Sequence, residues 1–466
     1  MAKKKTKKKQ KKRAAQVEES GGPAGLPVVG MVSLGCAKNT VDTERLLGML
    51  AERGFPIAAD PEWADVVLVN TCAFIEPARE ETESMLADLA RERPVVALGC
   101  YPRMLRPRGD GSAFTDAKLP GVVLAPFASY DDLPDLLASW AGADAPVGGA
   151  CFETAPRMRV GSPASAYLKI AEGCSNRCSY CAVPGIRGPL TSRPMEELVE
   201  EAASLADLGA RELCVIAQDT ASYGKDLWGR PRLAELLGKL CGLKKLDWVR
   251  LLYVHPAHLT EEIIEVIAGE RKMCKYIDLP VQHASDRILK AMLRRHDGAY
   301  LRELITRLRD RVPGIAIRTS AIVGFPGEGK EEFGELLDFV RWAEFDHLGA
   351  FTYSRERRTP AARKRPQVPG TTARRRHGRI MRLQQEIAFR RLDARAGGTE
   401  TAMLEQPSAG EGAWLARTER EAPEVDGCVL VRAPARAAPG RLVAARILER
   451  DGYDLLARAE RLRGRR

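Results

Sequence analysis

A chain of 466 residues with 45% hydrophobic residues and a net charge of +11 is too long for one ordinary core and is expected to form two to four domains. No stretch approaches the length of an apolar membrane span and no apolar signal segment is seen, which argues against a membrane protein or a disulfide-stapled secreted one and points to the cytoplasm. Most of the excess charge has one address: nine basic and no acidic residues lie between Lys3 and Arg13, leaving only +2 for the rest. This tail, residues 1–26, cannot bury apolar surface and is expected to be disordered. Such a run either holds nucleic acid or the ribosome by counterion release or serves as a solubilising extension.

The first folded domain, residues 27–145, begins where apolar runs start to alternate with helical patterns. VVGMVSLGC, ADVVLVNTC and RPVVALGC each read as a buried parallel strand that ends on a cysteine, giving Cys36, Cys72 and Cys100. Helices are predicted over Thr40–Arg53 and Pro77–Arg91. In open α/β sheets ligands collect outside the carboxyl ends of the strands, so three thiols at one edge read as a ligand set. Taken singly, each would read as a buried, inert thiol.

The central domain, residues 160–396, opens with YLKIAEGCSNRCSYCAVP, which puts Cys174, Cys178 and Cys181 on one tight loop after a strand at Tyr167–Ile170. Three thiolates can hold three corners of a four-iron cube and leave the fourth iron bare. Four-iron clusters normally take four cysteines, and an open position is what distinguishes a catalytic metal site from a structural one. Zinc would want a fourth Cys or His in register, and Ala182–Met195 offers neither.

From Tyr167 a strand-helix unit repeats, with strands YLKIAEG, ELCVIAQD, WVRLLYVHP, YIDLPVQ, IRTSAIVGFPG and HLGAFTYS. Six parallel units predict an open, partial (β/α)6 barrel rather than a closed eight-stranded one. Its top face gathers the cysteine loop, Gln218, Asp219, Thr220, His255, Gln282-His283 and the turn Gly324–Glu328. Gln218, Asp219 and Thr220 are candidates to hydrogen-bond the amino-acid or ribose part of a cofactor, and the backbone at Gly324 and Gly327 to admit a flat base. His283 reads as a satisfied polar residue. No catalytic acid or base can be named.

After Tyr353 a basic linker, RERRTPAARKRPQVPGTTARRRHGR, precedes a helical run over Ile380–Ala396. In residues 397–463 the short apolar runs TAMLEQ, AWLARTE, DGCVLVRAP, GRLVAARILERD and YDLLARAE predict a small antiparallel β-barrel. Cys151, Cys214, Cys241, Cys274 and Cys428 have no ligand spacing and read as structural.

The CxxxCxxC run, with Tyr180 before its last cysteine, resembles the signature of radical S-adenosylmethionine enzymes. The order of α/β domain, radical core and TRAM-like barrel resembles the methylthiotransferases over nearly all of residues 28–463. The strings SLGCAKNTVDTE, VNTCAFIEPA, QDTASYG, DLPVQHASDRIL, GFPGE and APEVDG are similar to the RimO type. The resemblance implies two 4Fe-4S clusters, one on Cys174, Cys178 and Cys181 and one on Cys36, Cys72 and Cys100, with Tyr180 at the cofactor site. It implies S-adenosylmethionine as radical source and methyl donor, and a target aspartate β-carbon in protein twelve of the small ribosomal subunit; the basic tail, by its charge, is the expected contact for ribosomal RNA. It identifies neither the sulfur donor nor the electron donor. The tRNA-modifying MiaB type is the alternative; it reads GCQMN at the first cysteine and QSGS where this chain has Gln282-His283-Ala284-Ser285. A non-catalytic iron-sulfur RNA-binding protein would explain the charge and the barrel but would not need two three-cysteine sites.

Overall fold

The computed structural model describes residues 25–106, 111–144, 148–410, 412–433 and 436–462; the predicted lysine-rich tail lies outside them up to residue 24. The chain divides into two units, Met1–Val160 with Gly185–Arg187, and Gly161–Pro184 with Gly188–Arg466.

In the first unit β1 (Val29–Ser33), β2 (Val66–Thr71) and β3 (Val95–Gly99) are parallel neighbours. β4 (Phe114–Thr115) and β5 (Val122–Leu124) complete a sheet of order β1-β2-β3-β5-β4, with only β4 antiparallel. Successive side chains of a strand point to opposite faces, and here both faces are covered. Val66 and Leu68 join Leu46, Met49 and Leu137 on one side, while Val67 and Val69 join Leu86 and Tyr101 on the other. This double burial explains why the strands read as continuous apolar runs. The helix after β1 spans Ala37–Glu52 and starts earlier than the predicted Thr40, because Cys36 is itself the N-cap. The helix after β2 spans Glu76–Ala90.

The second unit begins with β6 (Ser165–Lys169), followed by a short antiparallel ribbon, β7 (Ala171–Glu172) against β8 (Thr191–Ser192). β9 (Glu212–Ile216), β10 (Trp248–Leu251), β11 (Met273–Asp278), β12 (Ala316–Val323) and β13 (His347–Thr352) follow, each after a helix. All pair in parallel in the order β13-β12-β11-β10-β9-β6, the open six-stranded partial barrel expected from the repeat. Its core joins Leu168, Val215, Val249, Ile277 and Ile317 from the strands to Leu236, Ile264, Leu304 and Leu336 from the helices.

Two expectations are corrected here. The arginine-rich stretch after Tyr353 is not all linker, since the last core helix runs from Gly370 to Asp393. Ala373, Arg376, Ile380, Gln384 and Ile387 recur on its buried face, and Arg376 reaches that face because its Nη1 meets the Glu328 carboxylate at 2.8 Å. The C-terminal barrel is closed as predicted, from β14 (Thr399–Pro407), β15 (Ala413–Thr418), β16 (Val429–Arg432), β17 (Leu442–Asp451) and β18 (Asp454–Leu462). It is not wholly antiparallel, however: β18 returns from its hairpin with β17 to lie parallel to β16.

The barrel and the radical core share one unit because buried charges join them at the amino ends of the core strands. Arg417 of β15 is bonded to Glu212 at the start of β9, and its Nη2 also donates to Ser165 Oγ (2.8 Å) and Glu405 Oε1 (2.7 Å). Arg250 donates to Glu212 Oε1 at 2.6 Å and to the Glu419 carbonyl at 2.7 Å. The APEVDG string contributes as well, with Tyr276 Oη donating to Asp426 at 2.7 Å and Tyr167 Oη to Glu424 at 3.1 Å. Burial raises the Glu212 pKa, but the two arginines outweigh it and hold the carboxyl at about 2.

Truncating one member of a buried ionic set leaves the others uncompensated. Arg417→Met should therefore cost about 3 kcal/mol of stability in urea unfolding. Because the folded pKa of Glu212 lies below its ordinary value of 4.5, this carboxylate's stabilisation is complete above that value and is lost as pH falls toward about 2. Glu212→Gln should flatten that acid limb.

Candidate active site: two cysteine triads

The first triad is assembled from three loop ends of the first unit. β2 runs directly into Cys72, β3 into Cys100, and Cys36 follows β1 by a short turn to cap the Ala37–Glu52 helix. Asn39 ties two of these loops, its Nδ2 donating to the Leu34 carbonyl at 2.8 Å and the Thr71 carbonyl at 2.9 Å. Asn70 Nδ2 returns a bond to the Asn39 carbonyl at 2.9 Å, and Thr71 Oγ1 accepts from Tyr101 N at 3.1 Å, which brings in the third loop. The residues between the cysteines in CAKNTVDTE and VNTC are thus the cross-links that hold the three loops in place.

Arg187 completes this site. Its Nε lies 3.4 Å from Cys100 Sγ, while Nη1 meets Asp42 Oδ2 at 2.9 Å and Nη2 meets Asn39 Oδ1 at 2.6 Å. Burial pushes the Cys100 thiol up to about 11 against the pull of Arg187, and it also raises Cys72, which accepts a backbone N–H from Phe74.

The second triad lies on the loop between β7 and β8. Cys174 N donates to the Gly188 carbonyl at 3.0 Å, and Cys181 N to the Cys178 carbonyl at 3.1 Å. Gly173, at φ +72°, has to be glycine because a Cβ there would sit 2.0 Å from the Pro189 carbonyl oxygen. Ser179 rivets the loop down: it is fully buried, donates from Oγ to Ala291 O at 2.8 Å and from N to Met292 O at 2.9 Å, and accepts from Ala361 N at 2.8 Å. Burial raises the Cys174 and Cys181 thiols, the latter to about 12, while backbone N–H groups of Asn176 and Val183 bond to these sulfurs.

The chemistry of both donor sets fits iron-sulfur clusters. Each set offers three thiols that influence one another electrostatically, N–H groups aimed at sulfur, and an adjacent guanidinium, the features that tune such clusters. Among the described residues no three Cys, His, Asp or Glu side chains converge on a single ion. In a cube each cysteine takes a different iron, so the three sulfurs need not converge.

Beside Cys178 lies a cavity of about 530 Å³ lined in part by Asn176, His255, Arg294, Arg295 and His296. A second, of about 220 Å³, lies beside Cys174 and is lined in part by Asn176, Asp219, Ser222, Lys225, His258 and Arg295. Asp219 organises this wall. Its Oδ2 lies 2.7 Å from Asn176 Nδ2, Ser222 Oγ and His258 Nδ1. Burial raises its pKa, but the bond from His258 and the neighbouring partners bring it down to about 2.

Of the six predicted cofactor contacts, only Asp219 lines either of these cavities. Gln218 Nε2 donates to the Glu172 carboxylate, and its Oε1 is buried without a partner. Thr220 is fully buried and gives its hydroxyl to the Leu252 carbonyl at 2.9 Å, so it anchors the loop instead of facing a ligand. At Gly324, φ +75°, a Cβ would lie 2.5 Å from Ala373 Cβ, so the glycine serves helix packing. Gly327, at φ +87°, turns the chain, and its carbonyl accepts from Arg287 at 2.6 Å. Tyr180 packs with Ile288, Met292 and Phe325, behind the cysteine loop.

His283 is less satisfied than the sequence implied. Its Nδ1 accepts from Ser285 N at 3.0 Å, but its Nε2 is buried without a hydrogen bond, 3.9 Å from the Glu328 carboxylate. Cys214, Cys241 and Cys274 are buried as expected of structural thiols, whereas Cys151 is exposed, and packing does not account for it. No sequence pattern marks Arg187, His258 and Arg294, whose partners are remote in the chain, or Arg295, which lines both cavities.

Removing the Asn39 side chain should leave two loop carbonyls without their shared donor. Asn39→Ala is expected to destabilise the first unit by about 1–3 kcal/mol, read as a lower urea midpoint, and to speed alkylation of Cys36 and Cys72. An unchanged midpoint would show that the loops hold without this cross-link.

Comparison with known proteins matches the Radical SAM superfamily over residues 168–340, the uncharacterized protein family UPF0004 over residues 28–109 and the TRAM domain over residues 397–459. The chain is 42% identical over 443 residues to the ribosomal protein uS12 methylthiotransferase RimO of Trichlorobacter lovleyi, covering 92% of this chain and 97% of that one. It is 43% identical over 443 residues to the protein of the same name from Pelotomaculum thermopropionicum, covering 92% and 98%. A solved radical S-adenosylmethionine methyltransferase, TsrM from Kitasatospora setae, is similar at 16% identity and a TM-score of 0.48, covering 89% of this chain and 83% of that one. With near-complete coverage at this identity, and the three domain matches in the order that the folded units follow, the chain belongs to the RimO family of ribosomal protein uS12 methylthiotransferases, radical S-adenosylmethionine enzymes that work with 4Fe-4S clusters.

Proposed function

We propose that the two triads divide the reaction between them. Cys174, Cys178 and Cys181 hold the cluster that works with S-adenosylmethionine, and Cys36, Cys72 and Cys100 hold the cluster that carries the sulfur for transfer. The first would supply the one electron that cleaves S-adenosylmethionine into methionine and a 5′-deoxyadenosyl radical able to take hydrogen from an unactivated C–H bond, and the second would supply iron to hold the sulfur. The observation that carries this reading is the two sets of three thiols at strand carboxyl ends, each without a fourth cysteine beside it.

The remaining groups serve binding and orientation. Asp219 fixes Asn176 of the cysteine loop against Ser222 and His258, so the cavity wall beside Cys174 is set before any ligand arrives. Arg177, Lys290, Arg294 and Arg295 outnumber Asp286 and Asp297 around the larger cavity, giving it a positive wall suited to ligands that carry a carboxylate, as both S-adenosylmethionine and a target aspartate do. We take the target to be the β-carbon of one aspartate of uS12, modified in the cytoplasm, and the domains to span residues 27–145, 160–396 and 397–463. The basic tail is proposed to contact ribosomal RNA. Among the described residues no helix is long and apolar enough to cross a membrane.

Two measurements test this reading. In a strain lacking the enzyme, mass spectrometry should find uS12 lighter by one methylthio group and tRNA unchanged; methylthiolated adenosine lost from tRNA, with uS12 unaffected, would reassign the chain to tRNA. Purified protein with Cys36, Cys72 and Cys100 changed to Ala should still form 5′-deoxyadenosine from S-adenosylmethionine under reducing conditions while methylthio transfer is abolished. Loss of cleavage in a folded variant would contradict the division of roles.

A further inference from the structure

Each triad has one guanidinium against one of its sulfurs, but the two differ in how their charge is balanced. At the first triad Arg187 is a closed account: its contact with Cys100 Sγ at 3.4 Å is accompanied by a buried ion pair to Asp42 at 2.9 Å, the two side chains being 4% and 1% exposed. At the second triad Arg294 has no such partner. Its Nη1 lies 3.9 Å from Cys178 Sγ, its Nη2 donates to the Pro280 carbonyl at 2.5 Å, and its Nε is buried without a hydrogen bond. Among the described residues no carboxylate pairs with it, although the residue is only 8% exposed.

Arg294 instead lines the cavity beside Cys178, whose other charged walls are Arg177, Asp286, Lys290, Arg295 and Asp297, so its guanidinium faces the space beside the ligand sulfur without a carboxylate in ion-pair contact. The surroundings register this field: burial first and Arg294 second hold His255 down at about 2, and the same two causes hold His296 at about 3. Both rings border the cavity beside Cys178 with Arg294, so neither adds a compensating or a competing charge near neutral pH.

We propose that Arg294 is the standing counter-charge of the Cys174, Cys178 and Cys181 site, raising the reduction potential of a cluster held there, whereas the charge of Arg187 is offset in part by Asp42 and raises the potential of its cluster less. The inference rests on the reading that both triads hold clusters. One-electron reduction by an external donor adds one negative charge to a cluster, and an uncompensated cation in contact with a ligand sulfur favours the more negative state. A guanidinium already paired with a carboxylate exerts a smaller net field than an unpaired one. Arg294 is thus a positioning residue for charge, acting through the cluster and not on substrate.

The test is a mediated redox titration with dithionite, followed by electron paramagnetic resonance, on reconstituted full-length chains that keep one triad each, the other being changed to Ala. Arg294→Gln should lower the midpoint potential of the second-triad cluster at full iron content, and Arg294→Lys should restore most of the loss. Arg187→Gln should lower the first-triad potential by less than Arg294→Gln lowers that of the second, while lowering the iron retained. If Arg294→Gln fails to load iron but Arg294→Lys loads, the charge requirement is upheld. An unchanged potential in fully loaded Arg294→Gln, equal shifts at both sites, or failure of both Arg294 variants to load would overturn the proposal. Absence of iron from the parent single-triad chains would instead refute the cluster reading on which it rests.

Discussion

An iron cube that keeps one corner open needs three thiolates on a rigid support and no fourth donor within reach. The chain offers two sets of three thiols for it, by two different local solutions. In the first unit three separate parallel strands each deliver one thiol to the same sheet edge, and Asn39, Asn70 and Thr71 bind the loops together. In the second unit a single loop delivers all three, and Ser179 fixes it to the backbone at Ala291, Met292 and Ala361. In both cases small polar side chains bonded to backbone carbonyls decide where the sulfurs stand.

Buried charge is the second organising theme. The Glu212, Arg250 and Arg417 set seats the C-terminal barrel against the amino ends of the core strands, the end opposite the cysteine loop. The barrel is therefore part of the core's own packing, and removing it would strip partners from fully buried charges. Arg376 with Glu328 repeats the pattern beneath the GFPGE turn, where the glutamate also accepts from Gly324 N at 2.6 Å.

The strands and both triads were legible because buried parallel strands leave continuous apolar runs, and because cysteines at strand ends or at x3-x2 spacing have few other uses. Residues whose role depends on a distant partner were not. Arg376 looked like solvated linker because nothing local shows that Glu328, 48 residues away, neutralises it. Arg294 meets Cys178 across 116 residues and Arg187 meets Cys100 across 87, with no motif to announce either contact. Thr220 and Gly324 were read as ligand contacts from their strand-end positions, yet the same positions also serve residues that pack against neighbouring chain. Sequence order places a residue at a strand end without saying which way it faces. The parallel β16–β18 pair escaped notice for a related reason, since alternation identifies strands but not the order in which a barrel closes.

The claim on which everything else depends is that the six strand-end and loop cysteines form two independent three-ligand sites. It is tested most directly by iron and acid-labile sulfide analysis of anaerobically reconstituted protein. The account predicts about eight irons per chain in the wild type and about four in each triple Cys→Ala variant. Loss of all iron on removing either triad, or zinc in place of iron in the wild type, would contradict it.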